Sequence, residues 1–237
     1  MRDLSTMVWK EIAEFIGNKR ALRVFGIAVL IMGIIPTITA RHTAIGAAAA
    51  IRALVEVLYV LFATLIVVAN TAPDLVLHER VGRTLDYLLA TRLPDSAIFL
   101  GKVIVSAATG YLAAMVAIAL QLLVYAALVG HGWSWLYLAE PIGRILAFGI
   151  TAALAVYVSV VGTFVALHVG DQRSAYLVTV LSIGVILAPL LLGWVQIQST
   201  TSWFADAAMI FGAIAILLAA IGVLLFKREM LMLNLQE

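Results

Sequence analysis

VIVSAATGYLAAMVAIALQLLVYAALVG, residues 103–130, runs from Lys102 to His131 without one charged side chain. Gln121 and a few small hydroxyl residues are the main polar interruptions. A helix rises 1.5 Å per residue, and a bilayer's hydrocarbon core is about 30 Å thick, so roughly 20 apolar residues suffice to cross it. This run is longer than needed. Working outward, five further stretches reach or approach the same criterion. Arg23 and Arg41 bracket one that contains Pro36, and Glu56 and Asp74 bracket another that ends in Asn70 and Pro73. Arg144 to His168, Ser174 to Val195 with Pro189 inside, and Asp206 to Lys227 supply the rest.

Composition agrees with this reading. The chain is 64% hydrophobic and 12% charged, with a mean hydropathy of +1.11. Soluble domains are nearer half apolar and a quarter charged, so an all-α integral membrane protein is expected. Its spans are placed at about 23–40, 53–73, 102–130, 144–168, 174–195 and 206–226, a single six-span domain over 23–237. No cysteine is present, which removes disulfide and thiolate chemistry, and a formal net charge of +2 gives no reason to expect nucleic acid. Acidic Asp3, Glu11 and Glu14 near the N-terminus, with no small-residue cleavage site after a short apolar core, do not fit a cleaved signal peptide.

Lys and Arg near span ends set orientation. With the N-terminus inside, the cytoplasmic set is Arg2, Lys10, Lys19, Arg20, Arg23, Arg80, Arg83, Arg92, Lys102, Arg173, Lys227 and Arg228, against Arg41, Arg52 and Arg144 outside. Both termini are therefore expected in the cytoplasm of a cell-membrane protein. Trp133, Trp135, Tyr137, Trp194 and Trp203 fall at or near the outer ends, where aromatic belts form. Outer loops at about 41–52, 131–144 and 196–206 leave no room for an extracellular domain.

Ahead of the first span, residues 1–22 carry Leu4, Met7, Val8, Ile12, Phe15 and Ile16 at helical spacing, with Asp3, Lys10, Glu14 and Asn18 largely on the other side. That pattern describes a helix lying in the membrane interface, with Trp9 at headgroup depth.

No catalytic constellation emerges. His42, His78, His131 and His168 sit at different span ends, no H-E-x-x-H occurs, and neither a G-x-S-x-G elbow nor a Walker sequence is present. No metal site is expected, and the chain is not expected to be an enzyme. Transporters driven by protons or ions commonly place a carboxylate or histidine at membrane depth. Here Glu56, Glu140 and Asp206 lie at outer ends, which favours energy supplied from elsewhere. Asn70, Thr109, Gln121, Ser159 and Thr163 are candidates for lining a path, with Thr64, Thr179 and Ser182 beside them, although such groups more often bond to backbone or a neighbouring helix. Ser106, Gly110 and Ala114, and Ala208, Gly212 and Ala220, form small-residue stripes that permit close helix approach.

One polar segment stands between the second and third spans. His78-Glu79-Arg80-Val81-Gly82-Arg83-Thr84-Leu85-Asp86-Tyr87-Leu88-Leu89 leads to Pro94, and Asp95-Ser96 offers an N-cap for the helix entering the third span. Leu85, Leu88, Leu89 and Ile98 with Tyr87 suggest a short helix with one apolar face, pinned between two membrane helices.

These residues resemble the signature of permease subunits of the type-2 family of ABC transporters. Glu79-Arg80, Thr84-Leu85-Asp86, Leu88-Leu89, Thr91, Ile98 and Gly101-Lys102 occupy the family's motif positions, Val8 to Ile12 with Asn18-Lys19-Arg20 resembles its lead-in helix, and Phe226-Lys227-Arg228-Glu229 its ending. Arg83 replaces the family glycine before the threonine, and Arg92 replaces the proline after Thr91. The resemblance implies a half-transporter without a cofactor of its own: two such subunits, identical or similar, with two cytoplasmic ATP-binding subunits that hold ATP and Mg. The loop would then be a coupling helix, with Glu79, Arg80, Arg83, Thr84, Leu85, Asp86, Leu88 and Leu89 meeting the ATPase, and Glu79→Lys is expected to uncouple hydrolysis from transport without harming the fold. Export is usual in the resembling family, and the short loops favour a small, lipophilic or lipid-like substrate. The alternative is a membrane scaffold or sensor that recruits a soluble partner through the same loop.

Overall fold

The computed structural model describes residues 2–43, 49–81, 93–129, 138, 141–169, 171–196 and 201–225. All regular structure among them is helical. The helices are α1 (Arg2–Gly17), α2 (Lys19–Thr43), α3 (Ala49–Val81), α4 (Asp95–Val129), the short α5 (Pro141–Arg144), α6 (Thr151–His168), α7 (Gln172–Gln196) and α8 (Thr201–Leu225). A π-helical stretch, Ile145–Ile150, joins α5 to α6. Four segments among the described residues are long and apolar enough to cross a membrane: Lys19–Ile38, Val57–Glu79, Asp95–Ala127 and Ile145–His168. A shorter apolar stretch, Ala208–Leu224, lies in α8.

Hydropathy accounts for these helices, and packing accounts for their order. Helix α3 is the axis of the bundle, packing against α2, α4, α6 and α7. Within its membrane segment 78% of residues are buried, against 33% in α2, so α2 lies at the periphery. Lipid is as apolar as a leucine side chain, so close packing rather than escape from water must hold these helices together. Small residues make that possible. A Cβ at Gly110 of α4 would collide with Val68 Cγ2 and stand 3.3 Å from the Thr64 carbonyl of α3. At Gly162 of α6 it would meet Ala72 of α3 at 2.9 Å. The Ser106–Gly110–Ala114 stripe is thus used within the chain, with Ser106 and Ala114 both fully buried.

Several boundaries differ from expectation. The second span does not stop at Pro73: α3 runs through Asp74 to Val81. Proline lacks an N–H and costs a helix one bond, yet neighbouring helices can hold the flanking turns. Here Leu75, Val76 and Leu77 are buried. At the start of α4, the Pro94 carbonyl accepts from the Ala97 and Ile98 N–H groups at 2.9 and 3.3 Å, so the cap stands one residue before Asp95. In the π stretch, the Thr151 hydroxyl donates to the Leu146 carbonyl five residues back at 2.9 Å, which satisfies the widened turn. Asp171 caps α7, accepting from the Ser174 N–H and hydroxyl, each at 3.1 Å; those bonds, the backbone one first, hold its carboxyl below the usual range.

Residues 82–92, which contain the expected coupling positions Arg83 to Leu89, lie outside the described residues, as do Trp133, Trp135, Tyr137 and Phe226 to Glu229.

Candidate functional site: a buried ion cluster under the N-terminal helix

The polar side of α1 does not simply face water. Asn18 closes α1 and caps α2, its Oδ1 accepting from the Arg20 and Ala21 N–H groups at 3.0 and 3.2 Å. Its Nδ2 donates to Asp74 Oδ2 at 2.7 Å, and Gln172 at the start of α7 donates to Asp74 Oδ1 at 3.0 Å. Arg20 reaches Gln172 at 3.2 Å. One carboxylate on α3 thereby ties the α1–α2 junction to α7.

One turn further along α3 lies a denser cluster. Lys102 of α4, 2% exposed, points its ammonium between Glu11 of α1 and Glu79 of α3, which are 0% and 2% exposed. Its Nζ is 2.9 Å from Glu11 Oε1, 2.6 Å from Glu79 Oε2, and 2.8 Å from the Leu75 carbonyl. Lys10, about one-third exposed, bridges Glu79 Oε1, Glu14 Oε1 at 3.1 Å and Glu11 Oε1 at 3.4 Å. Met7, one turn before Glu11, packs against the surface opened by Gly101, where a Cβ would approach its Cγ to 2.6 Å. Met7 and Glu11 thus share the face of α1 that seals the bases of α3 and α4, while Trp9, Ile12 and Ile16 remain exposed on another side. Phe15 stacks edge-on against Phe25 of α2.

Burial pushes the Glu11 carboxyl above the usual carboxylate range; Lys102 opposes that rise and the Glu79 charge adds to it. Burial alone would lower the Lys10 ammonium, but Glu11 and then Glu79 and Glu14 overcome it and raise it. Carboxyl oxygens of Glu11, Glu14 and Glu79 lie within 4.8 Å of one another, a spacing that could hold a cation. Lys10 and Lys102 already put two positive charges among them.

The sequence-derived site residues fall in different places. Glu79 is turned inward to two lysines. Arg80 is in the last turn of α3, and Arg83, Thr84, Leu85, Asp86, Leu88 and Leu89 are outside the described residues. A charge reversal at Glu79 now has another consequence than uncoupling with the fold intact. It would place a third ammonium beside Lys10 and Lys102 in a site sealed from water, so the fold itself should suffer.

Among the path-lining candidates, Asn70 donates to the Ile66 carbonyl at 2.7 Å and Thr109 to the Ser106 carbonyl at 2.9 Å, each within its own helix. Gln121 of α4 donates to Met32 of α2 at 3.1 Å. Ser159 of α6 donates to the Val103 carbonyl of α4 at 2.7 Å and contacts Ser106. Thr163 is fully buried, and its hydroxyl has no partner among the described residues. Apart from Thr163, each of these groups bonds to the backbone of its own or a neighbouring helix.

The ion cluster was legible only in part. Glu11 interrupts the apolar stripe of α1 one turn after Met7, and Lys102 is the lone cation before a long apolar run; both are polar where the pattern calls for apolar. Their convergence on Glu79 depends on contacts across the whole first half of the chain. No protein-family model and no curated protein matches this sequence.

Proposed function

We propose that the chain is the membrane subunit of an ATP-driven type-2 ABC exporter for a small, lipophilic or lipid-like substrate, working as a dimer with two cytoplasmic ATP-binding subunits. In this reading it has six spans, with α7 and α8 as the fifth and sixth and α1 in the interface. The observation that carries it is the pairing of the motif segment with the ion cluster. Glu79 and Lys102, which flank the segment that resembles a coupling helix, are locked to each other and to α1. A push on that segment would reach α3, α4 and α1 together, as a transmitting element requires. The loop leucines Leu85, Leu88 and Leu89 would fill a groove on the ATPase while Arg80, Arg83 and Asp86 set register, apolar anchors within a charged rim.

The test is purification of the affinity-tagged chain from its native membranes. An ATP-binding-cassette ATPase should accompany it in equal amount and be lost in a Leu85→Asp, Leu88→Asp double variant that still folds. Recovery of the wild-type chain without such a subunit overturns the proposal and leaves the scaffold reading.

A further inference from the structure

The hydrogen bonds of the ion cluster leave one oxygen of Glu11 out. An ammonium carries three N–H donors. Those of Lys102 reach Glu11 Oε1 and the Leu75 carbonyl, and those of Lys10 reach Glu79, Glu14 and Glu11 Oε1. Two sealed carboxyl oxygens, Oε2 of Glu11 and Oε2 of Glu79, receive no hydrogen bond, and of these the Glu79 oxygen lies 2.6 Å from the Lys102 ammonium. An ionised Glu11 would therefore bury an anionic oxygen with no donor, a larger penalty than that of an unsatisfied neutral group.

We propose that the cluster is a proton-binding site, with the proton held on Oε2 of Glu11. With Glu11 neutral, the orphaned oxygen becomes a hydroxyl able to donate toward a neighbouring carboxylate. The route for the proton is the small cleft between α1 and α3 lined by Glu14, Asn18, Asp74 and His78, which reaches the half-exposed Glu14 at the rim of the cluster. The other titratable groups nearby are accounted for. Asp74 is occupied by Asn18 and Gln172, and His78 is exposed. On α2, Lys19, Arg20 and Arg23 are exposed, Arg20 bonding Gln172 and Arg23 the Lys19 carbonyl. Loss of the proton would add an unpaired negative charge beneath α1 and weaken its hold on α3 and α4.

Infrared spectroscopy of the purified chain in lipid nanodiscs, labelled with carboxyl-¹³C glutamate, tests this without any ATPase or substrate. A protonated-carboxyl stretching band should be present at neutral pH, shift with the label, disappear in Glu11→Gln and persist in Glu14→Gln. In Glu11→Asp, which keeps the acid but removes it from the labelled set, the band should lose its isotope shift. No labelled protonated-carboxyl band in the wild type, or one that survives Glu11→Gln, overturns the proposal. Because the readout needs only the folded chain, it stands or falls independently of the transport reading.

Discussion

Lys102 is the side chain whose removal separates structure from charge most cleanly. With Glu11 neutral it is the counter-ion of the buried Glu79, 2.6 Å away, so Lys102→Met withdraws a positive charge from beside a sealed carboxylate. Removing one partner of a buried ion pair costs about 3–5 kcal/mol, because a charge is left uncompensated. The expected outcome is a large fall in the thermal midpoint of Lys102→Met in nanodiscs, substantially restored when Glu79→Gln is added. A double variant no more stable than the single would show that the two groups do not share charge. The pH dependence has a definite sign. The Glu11 carboxyl is raised above its unfolded value, so the folded chain holds a proton that the unfolded chain has released. Its contribution is therefore fullest at low pH and declines as pH climbs from the ordinary carboxylate range through the raised value. Glu11→Gln should flatten that part of the stability profile. A wild-type profile that rises across the window would contradict the assignment.

At the level of helices, glycine positions show which contacts are tight and which faces are open. Gly110 and Gly212 stood alike in the sequence, each in a small-residue stripe. The structure separates them: a Cβ at Gly110 drives into Val68, whereas nothing lies within 4 Å of one at Gly212. Val68 is fully buried and β-branched, so it has little freedom to turn away. Gly110→Ala should lower stability by about 1–3 kcal/mol through overpacking. Gly212→Ala should be neutral or gain about 0.5–1 kcal/mol from reduced backbone freedom. Equal melting shifts for the two variants would mean that the α3–α4 contact is looser than drawn. The same pair marks how far the sequence could be read. Apolar run length is a local property, so α2, α3, α4 and α6 could be found from hydropathy alone. The continuation of α3 beyond Pro73 could not, because it depends on Leu75 to Leu77 being packed by other helices. Nor could the inward turn of α1's polar side, since amphipathicity tells two faces apart without saying what the charged one will meet.

Over the molecule as a whole, the polar ties gather at one end. The α1–α2 junction, the last turns of α3 and the starts of α4 and α7 are joined there through Asn18, Asp74, Gln172, Glu11, Glu79 and Lys102. Exposed Lys19, Arg20, Arg23 and Arg173 cluster with them, so the end rich in bonds is also the end rich in cations. Cations close to span ends are retained on the cytoplasmic side, so in the proposed orientation this end faces the cytoplasm. The absence of native cysteine makes that direction measurable, since any introduced thiol is unique. Asp3→Cys on α1 and Arg173→Cys at the start of α7 should react with a membrane-impermeant maleimide only after the cytoplasmic face is exposed. Ser202→Cys, at the start of α8, should react from outside in intact cells, because in the proposed six-span arrangement α7 crosses the membrane between it and Arg173. Labelling of Arg173→Cys and Ser202→Cys from the same side would remove the fifth span. Labelling of Asp3→Cys from outside would invert the bundle, place the ion cluster away from the cytoplasm, and leave an ATPase no access to the segment after Glu79.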